Sequence, residues 1–220
     1  MPHKWVYRRN VVAALAALCL GVLLAGVSAA EAQITAKGQA LAAFLDGLGV
    51  ETKWPAGVRV DWESGLPNGR PIRSGGKHTH CSAFTASAAK QLGVYILRPP
   101  EHSPVLLANA QSDWFATAAS RDLGWAPVTD AVAAQEAANQ GRLVIAIYRN
   151  HRDDKPGHTA IVRPSSKSLE EIIADGPDVI QAGGTNYRST TLKRGFAGHR
   201  AAWGKHEVRF FAHDIALPAG

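Results

Sequence analysis

A lone cysteine and a downstream histidine are the residues of this chain best suited to chemistry. Cys81 sits in GGKHTHCSAFTASAAKQLG, at the start of a predicted helix, and the only other cysteine, Cys19, lies in an apolar N-terminal run. A thiol attacks carbonyl carbon as its thiolate, and a helix N-terminus or a neighbouring imidazolium lowers its pKa. The same helix start offers peptide N–H groups without intrahelical partners, which suit the oxyanion of a tetrahedral intermediate. The alternative is a small buried hydrophobe.

His158, in the segment GHTAIV, is the candidate general base and acid. On a strand it shares one side with Ala160 and Val162, and small Ala160 leaves room there for a packed helix. Gly157 would let the chain enter the strand close to a substrate. A third group would hold the imidazole in one tautomer. Gln181 is best placed, in an apolar strand where an unpartnered amide is costly to bury; Asn186 and Asp178 compete for the role. Gln181 bonded only to backbone is the plainer alternative.

His78 and His80 precede the cysteine and suggest two other uses. His80 is a candidate substrate-binding residue or a shaper of the oxyanion pocket. With Cys81, and with His158 as a further ligand, the His-x-His-Cys cluster is also a candidate zinc site. Adjacent His80 and Cys81 would strain the backbone on one tetrahedral ion, and no carboxylate lies close before Glu101. Among the aromatics, Trp54, Trp62, Trp114, Trp125, Tyr187 and Trp203 are able to stack on sugars or line a groove. Trp114 and Asn186 join His80 as candidate substrate-binding residues. A non-catalytic wall-binding module is the remaining alternative.

The N-terminus sets an expected compartment. Lys4, Arg8 and Arg9 precede an apolar run from Val11 to Val27 and two small-x-small sites ending at Ala30 and Ala32. That order predicts a signal peptide over residues 1–32 and a secreted or periplasmic protein with no stable membrane association after cleavage. An exported chain left with one thiol has no internal disulfide to form, so the ordinary structural reason for an extracellular cysteine is missing. The remaining residues, 33–220, suit a single domain.

The net charge of +6 includes the basic N-terminus, and no Lys/Arg run is interleaved with aromatics, so no nucleic-acid partner is expected. The spacing predicts helices over Gln39 to Leu48, Cys81 to Leu92, Val105 to Ser120 and Asp130 to Asn139, the last with Asp130 as its N-cap. Short strands are expected over Val58 to Trp62, Leu143 to Tyr148, His158 to Val162, Asp178 to Ala182 and Glu207 to His213. Helices first and an antiparallel sheet later make an α+β layout.

Taken in order, Cys81-Ser82-Ala83-Phe84 opening a helix, Asn139-Gln140-Gly141 before LVIAIY, Gly157 to Val162, and VIQAGG with Asn186 just beyond form a set. It resembles the papain-like cysteine amidases and peptidases of the CHAP and NlpC-type cell-wall hydrolases, over roughly Lys77 to Asn186. The resemblance implies a papain-like fold with a Cys-bearing helix packed on an antiparallel sheet that carries the histidine. It implies hydrolysis of amide bonds in peptidoglycan stem peptides or related peptides by Cys81, His158 and Gln181, with no cofactor. An inhibitor or immunity protein is a partner compatible with such an enzyme. The chain departs from the family in carrying Gln181 where Asn, Glu or His is more usual, and in placing His80 directly before the nucleophile.

Overall fold

The computed structural model describes residues 33–71 and 78–217. The expected signal segment lies outside them. Helices α1 (Ala36–Gly47), α2 (Cys81–Gln91), α3 (Leu107–Phe115) and α4 (Ala118–Asp122) come first, and β1 (Ala126–Val128) and α5 (Ala131–Asn139) follow. Then come β2 (Leu143–Tyr148), β3 (His158–Val162), α6 (Leu169–Asp175), β4 (Asp178–Gln181), β5 (Tyr187–Thr191), α7 (Leu192–Gly195), α8 (Arg200–Gly204) and β6 (Arg209–His213). The strands form one antiparallel sheet in the order β1-β6-β2-β3-β4-β5. The molecule is therefore α+β.

Strand β2 is apolar at every position because both faces of the sheet are covered. Its register sets Ile145 opposite Ile161 and Val144 opposite Val162, and β3 continues with Ile161 opposite Ile180 and Val162 opposite Val179. Ile145, Ile147, Ile161 and Ile180 pack with Phe84 and the alanines of α2, and with Leu41 and Leu45 of α1. The other face joins Val144, Ala146, Ala160, Val162 and Val179 to Ala134 and Ala138 of α5 and to Phe196.

This division corrects one expectation. Helix α2 does not pack on the side shared by His158 and Ala160; it covers the Ile161 face, and α5 takes the Ala160 side. The small residues that permit close approach are on the helix, at Ala83, Ala86, Ala88 and Ala89. Gly157 likewise serves the protein itself. A Cβ there would lie 2.1 Å from the Tyr148 carbonyl oxygen and 2.6 Å from Asn109 Oδ1, so the residue is glycine to let β3 leave the β2 turn.

Other elements differ locally. The expected helix from Val105 to Ser120 is broken, since Thr117 adopts an extended conformation between α3 and α4. Thr117 Oγ1 donates to the Trp114 carbonyl at 2.7 Å and Ser120 Oγ to that of Phe115 at 2.9 Å, so side-chain hydroxyls take carbonyls a continuous helix would use. The expected strand from Val58 to Trp62 is reduced to a single bridge between Val60 and Pro67. Helix α5 begins as expected, with Asp130 Oδ1 accepting from the Val132 and Ala133 N–H groups.

Candidate active site

Helix α2 begins without a conventional cap. Its N-cap residue is His80, whose side chain makes no capping hydrogen bond. The imidazole turns away, and its Nε2 lies 2.7 Å from the Val58 carbonyl oxygen. The first-turn N–H groups are thereby left without a side-chain cap: the peptide N–H groups of Cys81 and Ser82, together with that of Thr159 on β3, lie on the side of Cys81 Sγ and favour its thiolate form. Thr159 is the residue after His158, so the nucleophile candidate is fixed to the strand that carries the base candidate.

The electrostatics differ from the sequence expectation. Burial is the largest influence on Cys81 and pushes its thiol above the ordinary range, with the three N–H groups opposing it. Burial also pushes His158 below the ordinary imidazole range, opposed by its hydrogen bond to Gln181. Both shifts favour the uncharged form of the group. Cys81 is only 5% exposed. Among the described residues, no hydrogen bond joins the thiol to the His158 ring.

His158 is held on three sides. Its Nε2 lies 2.8 Å from Gln181 Oε1. The edge of Phe196 meets the ring at a centroid distance of 4.6 Å and 74°, and His199 stacks on it at 5.5 Å and 20°. Continuing the β3–β4 register sets Gln181 opposite Ala160, on the face that also carries His158, so the two side chains are diagonal neighbours. Gln181 Nε2 reaches the Thr185 carbonyl at 3.4 Å. A carbonyl only accepts, so the amide nitrogen faces Thr185 and Oε1 faces the imidazole. His158 Nε2 therefore carries the proton, and the lone pair of Nδ1 is left for another donor.

Asn186 has a different task. Its Nδ2 donates to the carbonyls of Val50, Lys53 and Trp54 at 2.8, 2.8 and 3.1 Å, and its Oδ1 accepts the Gly183 N–H at 3.1 Å. It ties the β4–β5 turn to the loop after α1. That loop places Trp54 edge-on to Phe84 of α2, at 5.1 Å and 76°. Asp178 sits at the other end of β4, beside Lys167. Trp114 packs between Tyr95 and Phe115, with centroids at 5.9 and 5.2 Å. Among the other candidate aromatics, Trp54 and Trp125 are buried and Trp203 packs on the α5 side of the sheet.

A cleft of about 570 Å³ is lined by His158 and Gln181 together with Thr79, Tyr187, Arg194 and His199. Trp114, His80, Asn186 and Cys81 are not part of its lining. A smaller cavity of about 290 Å³, lined by Ile172, Leu192, Trp203 and Phe210 among others, contains none of the candidate catalytic residues.

Sequence reasoning missed His199, Arg194 and Phe196. The first two line the cleft and the third packs on the His158 ring, yet all three follow the matched motifs, in or at the ends of short helices without strong periodicity. His199 is driven down to about 4, first by burial and then by the nearby His158. Among the described residues, no group of three or more His, Cys, Asp or Glu side chains converges to hold a metal ion. No helix among them is long and apolar enough to cross a membrane. No protein-family model matches the chain, and no curated protein matches it.

Proposed function

We propose that this protein is an exported cysteine hydrolase of papain-like type that cleaves amide bonds, with peptidoglycan stem peptides or related peptides as substrates. The observation that carries the reading is the pairing of Cys81 at an uncapped helix N-terminus with His158, at the head of the strand beside that helix, whose tautomer Gln181 sets. The ordered resemblance to CHAP and NlpC-type enzymes and the signal-like N-terminus supply the cell-wall part.

The chemistry is that of a thiol nucleophile with an imidazole base. Nδ1 of His158 takes the Cys81 proton as Sγ bonds to the substrate carbonyl carbon, and the carbonyl π electrons move to oxygen. Peptide N–H groups at the helix start hold that oxyanion. Collapse of the intermediate expels the amine, which leaves with the proton from His158, and a thioester remains on Cys81. Water then attacks the thioester with His158 again as base, releasing the carboxylic acid and the thiol. Burial disfavours a separated thiolate and imidazolium here, which fits proton transfer that accompanies attack.

Digestion of purified sacculi tests the reading, with fragments identified by mass spectrometry. The parent protein should release peptides with newly formed amine and carboxyl ends, and Cys81→Ala should release none. Release by Cys81→Ala at the parent rate would overturn the thiol mechanism. Release that stops with a chelator and returns with zinc would favour the metal alternative.

A further inference from the structure

The walls of the cleft speak to substrate class. Among the described residues that line it there is no aspartate or glutamate, while Arg194 and two histidines contribute to it. The arginine is held in place: its guanidinium carbon lies 5.1 Å from the centre of the Tyr187 ring, itself part of the lining. That stacking restricts the side chain and leaves its planar fork of donors open.

The neighbouring cations are already committed. Lys193 meets Asp175 at 2.8 Å, and Arg163 and Arg188 both meet Asp46 at 2.9 Å. Among the described residues, no carboxylate pairs with Arg194 and no hydrogen bond uses its guanidinium. The next residue, Gly195, abuts the Gln181 oxygen that meets His158. Arg194 therefore shares the cleft with His158 and Gln181, and among the described residues its guanidinium meets the Tyr187 ring but no carboxylate.

We propose that Arg194 is the anion-binding group of this cleft, and that the substrate carries a carboxylate near the amide that is cut. The proposal rests on the hydrolase reading for the amide and on Arg194 for the carboxylate. A guanidinium takes a carboxylate through two parallel N–H···O bonds, giving orientation as well as attraction. A peptide with an acidic side chain or a free C-terminal carboxylate fits this chemistry; one whose carboxylates are amidated does not.

The test is an NMR titration of the Cys81→Ala chain, which requires no turnover. The probes are two matched pairs of blocked peptides, Ac-Ala-Glu-NH2 with Ac-Ala-Gln-NH2, and Ac-Ala-Ala-OH with Ac-Ala-Ala-NH2. At least one acid should bind on the order of tenfold more tightly than its amide, as a charge-assisted contact would give, with the gap narrowing as salt is added. The preference should vanish in Arg194→Gln on the same background and survive in part in Arg194→Lys. Equal binding of acid and amide in both pairs would overturn the proposal, as would no binding by either acid or a preference that persists in Arg194→Gln. The sacculus digestion reports separately on hydrolysis. An acid preference without turnover would sink the hydrolase reading alone, and turnover without the preference would sink the Arg194 site alone.

Discussion

Gly195 stands against Gln181 so closely that a Cβ at that position would come within 2.7 Å of Oε1. The same oxygen meets His158 Nε2 at 2.8 Å. Absence of a side chain on α7 therefore protects the contact that orients the histidine. Gly195→Ala should push the amide away from the imidazole and lower turnover about as much as Gln181→Ala, roughly tens-fold to a thousand-fold. Steady-state kinetics and thermal melting on both variants check this. An alanine variant with parental turnover would show that the contact is dispensable.

Replacing the thiol separates nucleophile from fold. Cys81→Ser should melt close to the parent temperature and lose essentially all hydrolysis, because a hydroxyl yields its proton far less readily than a thiol. In the parent, burial holds the thiol above its usual range, so alkylation by iodoacetamide should be slow near neutrality and accelerate as pH rises. Fast labelling at neutral pH, without that rise, would contradict a buried neutral thiol.

The amide at position 181 offers the imidazolium a dipole and no charge. In Gln181→Glu, a carboxylate beside His158 would stabilise the protonated ring and raise its pKa. The acidic limb of the pH–rate profile should then move to higher pH relative to the parent. A limb that stays in place would mean that residue 181 does not contact the titrating group.

Asn186 joins four backbone groups on two loops. Asn186→Ala should cost about 2 to 3 kcal/mol of stability by leaving those groups underpartnered. Its effect on turnover should be smaller than that of Gln181→Ala. Denaturant unfolding gives the first quantity and kinetics below the melting transition the second. A larger loss of turnover than in Gln181→Ala would make Asn186 the orienting group.

Both stacked histidines have depressed pKa values in the fold, His199 down to about 4 from an ordinary 6.5. Between those values the unfolded chain binds more protons than the folded one, so stability rises with pH through this window. The melting temperature should fall as pH drops from about 6.5 towards 4, and fall less steeply in His199→Phe, which keeps an aromatic face on His158. Equal slopes in the two proteins would remove His199 from the titration.

Sequence alone placed the candidate residues on their elements where local periodicity is strong. Cys81 at a helix start, His158 at the head of a strand and Gln181 at the end of another all fall where spacing placed them, because helix and strand patterns are local. The cap of α5 at Asp130 was legible for the same reason. Helix α6 was also legible in principle: Ser168 and Glu171 form a reciprocal capping box, a signal readable three residues apart. Strands β1 and β5 were not, since Ala126-Pro127-Val128 and the polar Tyr187 to Thr191 owe their extended form to β6 and β4 beside them.

Tertiary structure decided the rest. Which face of β3 receives α2 depends on how two whole sheet faces are covered, which no alternation within one strand encodes. The protonation of Cys81 depends on its burial among residues distant in sequence, which outweighs the helix start that sequence reveals. Arg194 reaches the cleft because α7 packs against β4 and β5, and His199 because the turn after α7 returns it to the His158 ring, so their places are set by packing across the chain rather than by any motif around them.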